Sequence, residues 1–520
     1  MSRTVSSLIA GRRHEEAGGG RLELPNPAQT GEVVSEALLA DARTYVEACR
    51  VAKDAQPAWA AVPAPIRGRA IQQIGRLAEE NKEALSQIVT REIGKPIVES
   101  RGEVQELIDT CNFFLGEGRR LYGETVPSEM SDKQLFTFRT PVGVCAITTA
   151  GNFPVAVPSW HLVPALLCGN TAVWKPAEYA VRIGEAVTEL FLAGGLPEGV
   201  LNTVIADGPT TFDGLSQALE AGLVDKVGFT GSVDVGRRIG ELCGRHLQSP
   251  TLELGGKNPQ VVMPDAQLDL AVEGALFSGF GTAGQRCTSL GTLIVHESIH
   301  DEFMSRFVRA VEEAPIGQPT DESVVYGPMM NARFCDRFLG WLDMVEGHHS
   351  IHGSTGVGRI DDDNPRERFV GDWNAGLYVH PTIVDGITMK DELYRNETFG
   401  PIVGVATFPD FDAAIDLANG HGYGLSSSIY TTDPQAVFRF RERISAGMVS
   451  VNNTTSGAEA HLPFGGNGKS GNGARQSGRW VLDQFTRWQS MNWDYSGRLQ
   501  KAQMDTADIT ADLAFRLDPT

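Results

Sequence analysis

From Val142 onward the chain alternates short apolar runs with helical stretches, a rhythm that points to a parallel β-sheet covered by helices. Strands are predicted at 143–149, 170–174, 201–205 and 226–229, with helices at 157–168 and 183–193 between them. A second block of the same kind begins near Pro259, with helices at 268–281 and 300–314 and strands at 291–296, 402–408, 427–430 and 448–451. The expectation is therefore two α/β domains joined near Gly255-Gly256. Ahead of them come a strand-like start at 7–10 and long helices at 38–53, 65–93 and 98–122. In the last of these, Val104, Leu107, Ile108, Cys111, Phe114 and Leu115 recur on one helix face. A hairpin is expected with strands on either side of 130–133, and residues 347–376, rich in Gly, Asp and His, read as an irregular surface insertion.

A chain of 520 residues exceeds what one hydrophobic core supports, in keeping with that division. Its formal charge of −20 disfavours nucleic acid and anionic membrane, both of which need a basic surface. No apolar run reaches the length of a membrane span, and residues 1–20 lack the apolar stretch of a signal peptide. The seven cysteines (Cys49, Cys111, Cys145, Cys168, Cys243, Cys287 and Cys335) show no paired spacing, which suits a reducing compartment. A cytoplasmic enzyme is the expectation.

Several short patterns fail in their context. Gly279 to Gly284 spells GxGxxG, but a helix is predicted before it, where a dinucleotide fingerprint needs a strand. His296-Glu297-Ser298-Ile299-His300 spells the zinc-hydrolase signature, which works only on a continuous helix. Here His296 ends a β-branched strand, so the rings should diverge across a strand-to-helix turn capped by Ser298. A zinc hydrolase using His296, Glu297 and His300 stays as the alternative function class. Gly468-Lys469-Ser470 resembles the end of a phosphate-binding loop, but Pro463 stands where its first glycine is required. His348, His349 and His352 read as a solvated loop rather than a metal site, and no metal is expected.

Gly284-Gln285-Arg286-Cys287-Thr288 reads differently. Cys287 follows a glycine-rich turn and adjoins Arg286, and backbone N–H groups with a nearby cation would lower the thiol pKa. Glu253, flanked by Leu252, Leu254 and two glycines, sits where an apolar setting would raise a carboxyl pKa toward that of a useful base.

Taken together, the following blocks resemble the aldehyde dehydrogenase superfamily: Pro141-Val142-Gly143-Val144, Gly151-Asn152-Phe153-Pro154, Trp174-Lys175-Pro176-Ala177-Glu178, Phe229-Thr230-Gly231-Ser232, Glu253-Leu254-Gly255-Gly256-Lys257, Gly284 to Cys287, Glu397-Thr398-Phe399-Gly400-Pro401 and Pro463-Phe464-Gly465-Gly466. The resemblance implies oxidation of an aldehyde to its acid through a thiohemiacetal and thioester on Cys287. Asn152 and the Cys287 N–H would hold the oxyanion, and Glu253 would activate the hydrolytic water. It further implies a Rossmann-type cofactor domain (1–123 and 145–255), a catalytic domain (256–478), a β oligomerisation arm (124–144 and 479–503) and a C-terminal tail (504–520). Lys175 and Glu178 would bind the adenine ribose, Gly231, Ser232 and Gly236 the pyrophosphate turn, and Glu397 and Phe399 the nicotinamide end. A carboxylate at Glu178 would repel a 2′-phosphate, so NAD is expected over NADP.

Within the superfamily the chain is most similar to the antiquitin group, the α-aminoadipic semialdehyde dehydrogenases. That similarity is carried by Gly102 to Glu106, Asn152 to Val157, His296 to Asp301, Thr455 to Glu459 and residues 499–503. It implies an amino-acid semialdehyde held by Glu106, Arg286, Gly457 and Ala458, with another semialdehyde or an aliphatic aldehyde as the alternative. The resemblance also implies a homodimer or homotetramer.

Overall fold

The computed structural model describes residues 3–352, 356–499 and 509–520. Two seven-stranded sheets organise the chain. The first runs, in spatial order, Thr251–Leu254, Lys226–Gly231, Val144–Thr148, Thr171–Lys175, Leu201–Thr203, Ser7–Ile9 and Arg12–His14. Its first five strands are parallel, and the N-terminal pair closes one edge antiparallel. The second runs Ser350–His352, Thr382–Asp385, Ile402–Phe408, Leu290–His296, Asn258–Val262, Ser426–Tyr430 and Met448–Val451, with only Ser350–His352 antiparallel. Residues 255–257 carry the chain from an edge of the first sheet to the interior of the second. The predicted alternation is therefore the architecture observed, and Ile402–Phe408 and Met448–Val451 have the expected bounds.

The first ten helices are α1 (Ala42–Ala61), α2 (Ala64–Glu80), α3 (Lys82–Ile93), α4 (Ile97–Glu117), α5 (Ala156–Leu167), α6 (Val181–Ala193), α7 (Gly208–Glu220), α8 (Val233–Arg245), α9 (Leu268–Phe280) and α10 (His300–Glu313). The buried stripe of α4 includes Val104, Leu107, Ile108, Cys111 and Phe114, which join Ile71 and Ile74 of α2 and Leu162 and Leu166 of α5 in the core beside the first sheet. α8 packs on the strand Thr251–Leu254 at Gly236, where an added Cβ would lie 2.4 Å from the Leu254 side chain.

The N-terminal region departs from the predicted helices. Residues 38 and 39 end the strand Gln29–Leu39, which pairs with Gly20–Asn26, and the helix starts only after Asp41, whose carboxylate accepts the Thr44 N–H. The predicted helix at 65–93 is two helices broken at Asn81 (φ −105°, ψ 13°), whose side-chain amide donates to Leu77 O. α4 ends at Glu117 rather than Tyr122. The insertion is more regular than expected: Ser350–His352 extends the second sheet, and Phe369–Val370 pairs with Ile316–Gly317.

The expected hairpin is Thr125–Val126 against Lys133–Pro141, and Thr486–Asp494 pairs along the whole outer edge of the latter. This three-stranded arm leaves Trp488 and Trp493 more than half exposed. Residues 509–520 are exposed and irregular, and 500–503, within the stretch at 499–503 that carries part of the resemblance, lie outside the described residues. Among the described residues no helix is long and apolar enough to cross a membrane.

Candidate active site

A cleft of about 510 Å³ opens at the C-terminal ends of the first sheet's strands, the usual ligand position in an open α/β sheet. Asn152, Lys175, Glu178, Gly231, Ser232, Cys287, Glu397 and Phe399 all line it. Six of the seven cysteines are buried, and Cys287 alone is half-buried. Asn152 Nδ2 donates to Gln285 O at 3.0 Å, which ties the amide to the loop that carries Cys287 and leaves its second N–H free of that bond. The N–H groups of Cys287 and Thr288 interact with the thiol.

The thiol's setting is the reverse of the expected one. Burial, then the carboxyls of Glu397 and Glu253, push Cys287 up to about 12. The cation that was to lower it points elsewhere: the Arg286 guanidinium pairs with Glu99, its Nε bonds Thr282 Oγ1 at 3.2 Å, and it lies over the Phe277 ring. Arg286 is thus adjacent to the nucleophile in sequence and turned away from it in space. It lines neither the cleft nor the cavity described below.

Glu253 is buried behind the cleft wall, its Oε2 accepting the Gly466 N–H at 3.3 Å and its Oε1 without a partner. Burial raises its pKa well above the ordinary carboxyl value, against the pull of Arg475 and the Gly466 N–H. Glu397 is raised to about 7, chiefly by burial, while Gly256 N–H donates to its Oε1 at 3.2 Å. Lys257, also buried, is lowered to about 7. All these groups crowd the passage between the two sheets.

At the far side of the cleft, Lys175 Nζ is 2.9 Å from Glu178 Oε2, and Arg333 approaches the other carboxylate oxygen at 3.8 Å. Burial works to raise the Glu178 pKa, but Lys175 and the hydrogen bonds outweigh it and the group stays ionised. Arg333 carries no sequence motif and was not expected. Ser232 caps α8, so the first turn of that helix faces the cleft and offers its N–H groups to an anion. Gly236 serves helix packing instead and does not line the cleft.

A separate cavity of about 220 Å³ is lined by Glu106, Asp109, Trp160, Ala458, Glu459 and His461, among others. Trp160, which lines this cavity, and Phe464 belong to the apolar cluster against which Cys287 and Ala458 pack, so the cavity and the thiol share that cluster. Glu106 Oε2 is buried without a partner, and burial together with the Glu103 carboxylate raises the group to about 8. Gly457 is exposed and does not line the cavity.

The misleading patterns resolve physically. Residues 279–284 are the end of α9 and a tight turn. His296 caps its own turn, accepting the Ser298 N–H, whereas His300 faces Asp385 at 3.2 Å, so the two rings have different partners and the cap is His296 rather than Ser298. The histidine cluster differs from a solvated loop, because His348 and His349 both turn Nε2 toward Asp391, at 3.4 and 3.1 Å. Among the described residues this is the group that could hold a metal ion. However, Glu346 N–H donates to His349 Nδ1 at 2.9 Å, so the neutral ring carries its proton on Nε2, where a metal would need a lone pair.

The aldehyde dehydrogenase family pattern matches residues 14–491. An α-aminoadipic semialdehyde dehydrogenase from Bos taurus is 37% identical over 477 residues, 90% of this chain and 84% of that protein. An α-ketoglutaric semialdehyde dehydrogenase from Bacillus subtilis is 32% identical over 485 residues, 93% of this chain and 96% of that one. The crystal structure of betaine aldehyde dehydrogenase from Staphylococcus aureus in complex with NAD+ superposes with a TM-score of 0.87 at 28% identity, covering 95% and 96% of the two chains.

The thiol's setting generates a prediction. Alkylation of Cys287 by iodoacetamide in the free protein should be slow at pH 7 and rise steadily to pH 10, because burial raises the thiol well above its ordinary value and the thiolate fraction keeps growing over this range. A plateau below pH 8 would show that the thiol is activated at rest.

Proposed function

The chain belongs to the aldehyde dehydrogenase family, and we propose that it oxidises an amine-bearing semialdehyde, of which α-aminoadipic semialdehyde is an example, with NAD as cofactor. The observation that carries this reading is the half-buried Cys287 in the cleft, tied through Gln285 to the Asn152 amide and packed on the same apolar cluster as a cavity with an unpartnered Glu106 oxygen.

In this reading Cys287 Sγ bonds to the carbonyl carbon and its proton leaves to solvent water in the cleft. The carbonyl oxygen gains the negative charge and is held by the Asn152 amide and the Cys287 N–H. The dinucleotide, when bound, supplies the hydride acceptor that turns the thiohemiacetal into a thioester. Glu253 then takes a proton from water, the water oxygen bonds to the acyl carbon, the C–S bond breaks, and the acid leaves with the thiol restored. The cleft suits a dinucleotide: Lys175 and Glu178 offer polar groups to a ribose, Ser232 opens a helix N-terminus to the pyrophosphate, and Glu397 and Phe399 flank the end nearest Cys287. The ionised Glu178 would repel a 2′-phosphate, which supports NAD over NADP. Residues 1–123 and 145–255 are assigned to cofactor binding and 256–478 to catalysis.

For the substrate's far end, Glu106, with Asp109 and Glu459, favours a cation, and among the described residues no Lys or Arg lines this cavity. With Arg286 committed to Glu99 and Gly457 outside the cavity, the backbone at Ala458 is left as the place for a substrate carboxylate. Exposed Trp488, Trp493, Met491 and Phe138 on the arm support a homodimer or homotetramer joined there. Trp488→Asp with Trp493→Asp should therefore yield monomers in sedimentation; an unchanged mass would place the interface elsewhere.

Below pH 8 Glu106 is mostly protonated and holds an ammonium weakly; as pH rises through about 8 the carboxylate forms. The KM for an amino semialdehyde should accordingly fall across this range, while that for the same aldehyde without its amine should not. Glu106→Gln should remove the effect and lower kcat/KM for the amino substrate by roughly 30-fold, corresponding to about 2 kcal/mol for one charge-assisted contact. Steady-state rates with both aldehydes and both dinucleotides decide the matter. Equal losses on the two aldehydes would end the assignment of Glu106, and faster turnover with NADP would end that of Glu178.

A further inference from the structure

Three glutamates, Glu99, Glu103 and Glu106, recur along α4 at steps of four and three residues, which places them on one side of the helix. Glu106 reaches the far-end cavity. The other two reach the two loops that build the oxyanion site. Glu103 is buried, with Oε2 2.5 Å from Lys95 Nζ, while Oε1 accepts the N–H groups of Val155 (2.7 Å) and Ala156 (3.2 Å). Those N–H groups open α5, a helix with no side-chain cap of its own, and lie three and four residues after Asn152. Lys95, equally buried, lies 3.5 Å from the ring centroid of Phe153, next to Asn152.

Glu99 grips the other loop. It accepts Thr282 N–H at 3.0 Å together with the Thr282 hydroxyl and the Arg286 guanidinium. Between these contacts the backbone passes through three successive left-handed residues, Thr282 (φ 52°), Ala283 (φ 53°) and Gly284 (φ 65°). Two of them are not glycine, a conformation that persists only where surrounding contacts hold it. The same loop then supplies Gln285 O, on which the Asn152 amide rests, and Cys287 itself.

We propose that Glu99 and Glu103 are positioning residues that set the two oxyanion donors against each other, Glu103 through the start of α5 and Glu99 through the left-handed turn before Cys287. Neither touches the substrate. The proposal rests on the assignment of Asn152 and the Cys287 N–H as those donors. α4 is then a ruler, one rigid element that fixes the reacting end and the far end of the site in common register.

Removing Glu103 alone would leave Lys95 buried without its counter-charge, so the test removes both charges, in Lys95→Met with Glu103→Gln. Stopped-flow measurement of the first turnover at saturating NAD should show a rate about 10–100-fold below wild type, the loss expected when a reacting group is misplaced by about an ångström. The aldehyde KM, the NAD Kd and the rate of Cys287 alkylation should stay within about two-fold, a separation that general loosening of the fold would not give. Added to Asn152→Ala, the double change should cost nothing further, because it acts through that amide. Glu99→Gln paired with Arg286→Met, which again removes both buried charges, should likewise slow the first turnover while sparing the NAD Kd. Losses that multiply with Asn152→Ala, or a wild-type first turnover in both variants while Asn152→Ala is slow, would overturn the positioning role. A wild-type rate in Asn152→Ala itself would instead bring down the oxyanion assignment, and this proposal with it.

Discussion

Everything in the cleft hangs on a backbone passage too narrow for any side chain. A Cβ at Gly255 would lie 1.9 Å from Glu397 Oε2, and one at Gly256 would lie 2.4 Å from Cys287 O, distances no packed atoms adopt. Two glycines therefore let the chain leave the edge of one sheet, enter the interior of the other, and bring Glu253, Glu397 and Cys287 close together. The cost is desolvation: carboxyls that would be charged in water are pushed toward their neutral forms, and the thiol is held neutral well above its ordinary range. The resting site is accordingly quiet.

That crowding explains why support comes from outside the cleft. On the proposed reading, orientation comes from α4, through carboxylates that hold backbone N–H groups rather than the reactive groups themselves. A helix is suited to this task because its side chains project at fixed spacing from a rigid rod.

The sequence was legible where chemistry and periodicity agree. β-branched runs such as Ile402–Phe408 define buried parallel strands almost to the residue, because nothing else in a soluble protein tolerates them. The strand Gln29–Leu39 escaped notice because its apolar end, Val33 to Ala40, runs straight into α1 and blurs the two periods; only the Asp41 cap marks the change. Most of the cleft came from block resemblance, not from residue pattern. Reading Arg286 as an activator failed because neighbours in sequence diverge when the backbone turns left-handed. Glu99 and Glu103 were invisible as functional groups because a carboxylate on a helix ordinarily faces water. The one available signal was their four- and three-residue spacing beside an apolar stripe, which required placing them on the inner face.

The central claim is that acyl transfer passes through Cys287 and depends on Glu253 for release. Mass spectrometry of the Glu253→Gln variant, quenched in acid after mixing with NAD and aldehyde, tests it directly. The account predicts that the peptide containing Cys287 gains the mass of the acyl group and that none of the other six cysteines does. An unmodified Cys287 in a variant that still forms one equivalent of NADH, or an acyl group found on another residue, would contradict it.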